Sequence, residues 1–144
     1  MYKRIAVAYN SSAEAGQALS AAISLAKAFG SELRLLTHID ELPSYTAYAA
    51  AADPALQQTL AADRQAEFEE LQTKVRQAAL RDGIVIQTEL LEGDDVGAIV
   101  HLLYQHKIDL LVIALHRHSL YLSRLWNSVY DLADDAPCSV LGVR

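Results

Sequence analysis

The side chains best placed to do chemistry in this 144-residue chain gather late in the sequence. His116, Arg117, His118 and Arg124 concentrate positive charge, and Ser119, Ser123 and Ser128 add hydroxyls. Arginine forks hold phosphate or carboxylate bidentately, so this set suits an anion. The competing reading is a solvated loop whose arginines pair with nearby carboxylates. His116 and His118, with His38 at the end of another strand, have the elements of a zinc site. No carboxylate or cysteine accompanies them at ligand spacing, and no metal is assigned. A serine nucleophile needs a strained turn of the Gly-x-Ser-x-Gly kind, which is absent. Ser11 and Ser12 therefore read as turn and cap residues. Cys138 lies inside a strand pattern and reads as an inert buried thiol. His101 and His106, five apart, do not share a helix face, and His106 falls in a last turn where a cation favours the helix dipole. No catalytic residue is assigned.

The elements that must position these groups alternate between two periodicities. Ile5 to Tyr9 is an apolar run too short for a helix and reads as a strand buried on both faces. A helix follows from about Ser12 to Phe29, with Ala15, Ala18, Leu19, Ala22, Ala26 and Phe29 on one face, and Gly30 at its left-handed cap. Leu33 to Ile39 is a second strand, its opening alternation suggesting a place near the sheet edge. Residues 40–52 form a long loop whose Tyr45 and Tyr48 suit a lid or an ordinary surface loop. Asp53-Pro54 opens a helix to about Asp82, with Leu56, Leu60, Phe68, Leu71, Val75 and Ala78 as its stripe. Ile84 to Leu91 is a third strand, and Val96 to His106 a third helix. Asp109 to Leu115 is the most apolar strand and a candidate for the sheet centre. A helix from Tyr121 to Asp134, with Leu122, Leu125, Trp126, Val129 and Ala133 inward, precedes a last strand, Cys138 to Val143.

Strands alternating with helices imply an α/β fold with a parallel sheet covered on both faces. In such a sheet the ligand lies beyond the carboxyl ends of the strands, where the winding reverses. The loops at issue are Asn10 to Ser12, Ile39 onward, and Ala114 to Ser119.

Composition narrows the function. Apolar residues make up 52% and the net charge is −6, so the chain is globular and is no bulk-electrostatic nucleic-acid binder. The apolar run from Leu110 to Leu115 falls far short of the ~20 residues that cross a bilayer. One cysteine permits no internal disulfide, and a cytoplasmic protein of one domain, 1–144, is expected.

Four segments resemble the universal stress protein family. Arg4 to Ser12 looks like its first strand and turn, Leu35 to Ile39 like its second strand, Asp109 to Ile113 like its fourth, and Ala136 to Val143 like its closing Ala-Pro-Cys-x-Val-Leu-x-Val segment. The resemblance implies a single open, twisted, five-stranded parallel sheet in the order 3-2-1-4-5, Rossmann-like and akin to the adenine nucleotide alpha hydrolases. It also implies a homodimer joined antiparallel through Val140 to Val143. Many members bind ATP through a Gly-rich motif. On this chain the motif's glycines fall at Ala114, Arg117 and Asn127, and Ser128 keeps the final hydroxyl. The family's nucleoside-contacting aspartate falls at Asn10. The implied pocket is thus Asn10, Ile39, Ala114, Arg117, His118, Asn127 and Ser128, in degenerate form.

Arg117 is the weightiest change, because a long side chain stands where phosphate should meet bare backbone. The first reading is a non-enzymatic dimer that acts by binding or interaction and lacks the usual ATP mode. The second is a sensor of a nucleotide or small anion through Arg117, His118, Arg124 and Ser128, with ATP, AMP or another phosphate-bearing ligand as candidates. A weak nucleotide hydrolase ranks third, for want of a Mg²⁺ ligand set or a base.

Overall fold

A computed structural model describes residues 1–9, 13–37, 51–91, 96–115 and 131–144. The elements are β1 (Arg4–Tyr9), α1 (Ala13–Phe29), β2 (Glu32–Thr37), α2 (Pro54–Arg81), β3 (Ile86–Leu90), α3 (Val96–Gln105), β4 (Leu110–Ala114) and β5 (Ser139–Val143). Residues 131–135 are also helical. The strands form one sheet in the order β3-β2-β1-β4-β5, and every pair is parallel. β1 is therefore the centre; β4, expected there, lies beside it. β2 is one strand in from the edge that β3 forms.

Alternation along the strands divides the core. Ile5, Val7, Leu33, Leu35, Leu110 and Val112 face one way and pack with Ala18, Ala22 and Ala26 of α1 and Val75 and Ala79 of α2. Ala6, Leu36, Leu111 and Ile113 face the other way and meet Leu103 of α3, Ile108 and Leu132. Three of the α1 contacts are alanines with no exposed surface, and such small side chains let a helix lie close to the pleat. Phe29, expected inward, is 44% exposed, and its ring instead meets Tyr2 edge-on, at 5.8 Å between ring centres. Leu132 is buried where Ala133 was expected, and Ala133 is exposed. β3 begins at Ile86 rather than Ile84, and Val85 before it is 78% exposed.

The three helices α1, α2 and α3 end alike. Ser31 N–H donates to Ala26, Ile84 N–H to Ala79, and Ile108 N–H to Leu103, each across five residues. This is the Schellman closure, and the residue before each donor takes positive φ. Gly30 and Gly83 do so at 64° and 73°; in α3 the residue is Lys107, at 52°. For a residue with a Cβ, that conformation costs about 1–2 kcal/mol. At its other end, α2 starts as read from Asp53-Pro54: the Asp53 carboxylate accepts Ala55 N–H at 3.0 Å. Only Phe68, Val75 and Ala79 of its 28 residues are buried.

Asp109 ties three strands together. Its carboxylate oxygens accept the N–H groups of Lys3 at 2.9 Å and Arg4 at 3.1 Å. Its own N–H donates to Arg4 and its carbonyl accepts from Ser139 N–H. Removing the carboxylate by Asp109→Ala should lower unfolding free energy by about 1.5–3 kcal/mol, the range of hydrogen bonds to charged groups. The expected reading is a lower urea midpoint at unchanged slope; an unmoved midpoint would refute the role.

Candidate functional site

The winding reverses between β1 and β4: the chain leaves β1 toward β2 and leaves β4 toward β5 on the other side. Val7 lies opposite Val112, so the two strands end together at Tyr9 and Ala114. Both are half-buried and pack on the α1 side of the core, while Ala8 and Leu115 pack on the α3 side. Thr37, fully buried at the end of β2, donates its hydroxyl to the Tyr9 carbonyl at 2.8 Å. This bond satisfies a polar group that would otherwise be costly to bury and fixes β2 against β1 at the mouth. Leu115 N–H donates to the Val143 carbonyl at 2.7 Å. Gly142 leaves room for the Leu115 side chain, since a Cβ there would stand 2.7 Å from Leu115 Cδ1.

Among the described residues the floor of the mouth is formed by Tyr9, Thr37 and Ala114 at the strand ends, and none of them is an Asp, Glu, Lys, Arg or His. Ala114 is the one residue of the expected pocket among those described, and it stands at the carboxyl end of β4 as read. Asn10, Ile39, Arg117, His118, Asn127 and Ser128 lie outside the described residues, as do His38, His116, Arg124, Tyr45 and Tyr48. Among the described residues, no three His, Cys, Asp or Glu side chains group to hold a metal ion, and no helix is long and apolar enough to cross a membrane.

Sequence reading missed a polar group on the α3 side of the sheet. The Arg34 guanidinium donates to Glu89 at 2.5 Å and to the Gln87 side-chain oxygen. His106, just past the end of α3, is 19% exposed at its side chain, and its Nε2 lies 3.6 Å from Glu89. That nitrogen is buried without a hydrogen bond among the described residues. The signal was present: Arg34 sits opposite Gln87, polar residues at neighbouring positions on a face that is elsewhere apolar.

An open parallel sheet with two helical layers and a mouth at its winding reversal defines a doubly wound α/β domain. The family model of the universal stress protein family matches residues 1–144, and the chain belongs to that family. It is similar to the universal stress protein UspA from Lactobacillus plantarum, at 25% identity over 99% of this chain and 98% of that one, with a TM-score of 0.76. A universal stress protein solved in complex with cAMP shares its fold at 22% identity, covering 99% and 97% of the two chains, with a TM-score of 0.64. One from Archaeoglobus fulgidus in complex with dAMP does so at 15% identity, covering 99% and 98%, with a TM-score of 0.68. No curated protein is a significant match.

Cys138, half-buried before β5, has its pKa raised by burial first and by the Asp109 carboxylate second, against a lowering hydrogen bond from the Leu111 backbone. A thiol whose pKa rises on folding contributes stability fully below the unfolded thiol's value, about 8.5, and that contribution is lost as pH rises through the folded value. Iodoacetamide should therefore modify Cys138 more slowly in the folded protein than in the urea-unfolded chain. Asp109→Asn, which removes the neighbouring charge, should speed the folded reaction; an unchanged rate would remove Asp109 from the account.

Proposed function

We propose that this chain is a binding protein rather than an enzyme, a homodimer whose nucleotide pocket has lost the phosphate loop of its family. The observation that carries this reading is the identity of residues 114, 117 and 127. The family's three glycines are replaced by Ala, Arg and Asn, and Ala114 stands at the end of β4 beside the mouth. Glycine lets backbone N–H groups approach a phosphate without a side chain between them. A methyl at 114 is a small obstacle; a guanidinium at 117 is a large one. Asn10 keeps an acceptor oxygen for a ribose but not the family's charge. Relatives solved with cAMP and dAMP support a ligand of nucleotide size in this fold. The match over residues 1–144 supports one domain.

The described floor of the mouth carries no cation of its own, and this favours a second reading. If an anion is held there, its counter-charge comes from Arg117, His118 and Arg124, with Ser128 as a hydroxyl, and the protein senses a nucleotide or small anion by side chains instead of backbone. One variant separates the two. A ligand that binds only the folded state adds about 2.7 kcal/mol at a hundredfold excess over Kd. Under the first reading, millimolar Mg-ATP leaves the melting temperature of the protein unchanged, and Arg117→Gly creates a dose-dependent rise. Under the second, the protein itself shows the rise and Arg117→Gly abolishes it.

The dimer reading rests on β5. It is an edge strand, paired only with β4 among the described strands, and Leu141 on it is 38% exposed. An open edge presents unpaired backbone groups that a second copy satisfies by symmetry. Sedimentation should give twice the 15.8 kDa chain mass for the protein, and the monomer for Leu141→Arg. A monomeric wild-type protein would refute the dimer.

A further inference from the structure

At the end of the sheet opposite the mouth lies a cavity of about 340 Å³ that neither reading uses. The starts of β1, β2 and β3 and the turn between α3 and β4 wall it, chiefly through Arg4, Glu32, Arg34, Gln87, His106 and Lys107. Arg4, Arg34 and Lys107 thus bring three positive charges to its walls against the carboxylate of Glu32, with Glu89 paired to Arg34, in a chain of net charge −6. The other carboxylates nearby are engaged: Glu89 holds Arg34, and Asp109 accepts the Lys3 and Arg4 N–H groups. Arg4 meets Glu32 only through Nε, at 3.4 Å. Lys107 Nζ has no ion-pair partner among the described residues.

A structural explanation for these cations is that they offset the carbonyls at the end of α3. Backbone bonds already fill that role. The carbonyls of Leu102, Leu103 and Tyr104 accept from His106, Ile108 and Lys107 N–H groups. Lys107 is moreover the one residue with a side chain, among those described, held at positive φ. At the same position of the same closure, α1 and α2 have glycine. A local rule broken without a structural gain points to a use for the side chain.

We propose that this cavity is a binding site for a small multivalent anion, a polyphosphate or polycarboxylate, held by Lys107, by Arg4 and by the Arg34 N–H groups that Glu89 and Gln87 do not take up. Its volume lies within the ~300–1,000 Å³ of small-molecule sites, and its walls offer charge-assisted bonds from three directions. The site is independent of the nucleotide pocket, since the length of the strands separates them.

The test is titration of the isotope-labelled protein with pyrophosphate and, in parallel, with citrate, read by backbone amide shifts. Saturable shifts at Leu33, Gln87 and residue 107, without shifts at Ala8 and Leu115, are expected. Pyrophosphate alone would identify the ligand as phosphate-bearing, citrate alone as a polycarboxylate. Lys107→Gly should bind at least about tenfold more weakly while its melting temperature rises, because glycine relieves the positive φ. Arg4→Gln should weaken binding likewise, with the fold retained. Absence of saturable shifts with both anions up to about 10 mM, the millimolar limit of weak binding, would overturn the proposal. So would binding that Lys107→Gly leaves unchanged, or shifts confined to the mouth.

Discussion

A parallel neighbour cannot be reached by a tight turn, so a strand with parallel partners on both sides commits the chain to crossing over the sheet. β1 is such a strand. It pairs with β2 over six positions and with β4 over three, and its odd and even residues enter different halves of the core. Two consequences follow from that placement. One helical layer carries the crossovers to β2 and β3, and the other carries those to β4 and β5. The place where the winding reverses is then fixed between β1 and β4, and with it the mouth. Asp109 and Thr37 act on the same strand from opposite ends: the first ties its start to β4, the second its end to β2.

Much of this was legible because the rules involved are local. Gly30 and Gly83 marked helix ends through the one conformation glycine tolerates, and Asp53-Pro54 marked a beginning. Short apolar runs at 5–9 and 110–115 gave two buried neighbours. The order of strands was not local, and it came only through resemblance; periodicity alone put the most apolar strand, β4, at the centre that β1 occupies. Lys107 hid the third helix closure, since nothing in a lysine announces positive φ. The cluster of Arg34, Glu89 and His106 was hidden for a different reason. Its members are 72 residues apart from first to last, and only the register of β2 with β3 brings the first two together.

The candidate pocket divides along the same line. Its floor is set by strand ends, and Ala114 could be assigned to it from the motif count. The charges proposed for it belong to positions 117, 118 and 124, whose side-chain types alone bear on the choice between a blocked phosphate loop and a rebuilt one. Fold membership cannot make that choice, because a shared scaffold hosts both. The reading proposed for this chain rests on three positions, Ala114, Arg117 and Asn127.

The proportions of α2 have a bearing on how this chain can change. Its 28 residues reach about 42 Å, whereas a five-residue strand spans about 17 Å. Its buried anchors, Phe68, Val75 and Ala79, all lie in the half nearer β3. The residues before Phe68 answer mainly to helix propensity and scarcely to packing, so substitutions there meet little resistance from the core. An overhanging half-helix of this kind is the cheapest part of the molecule in which to write a new surface. Related proteins with a common sheet can diverge there in length and charge while their cores stay alike.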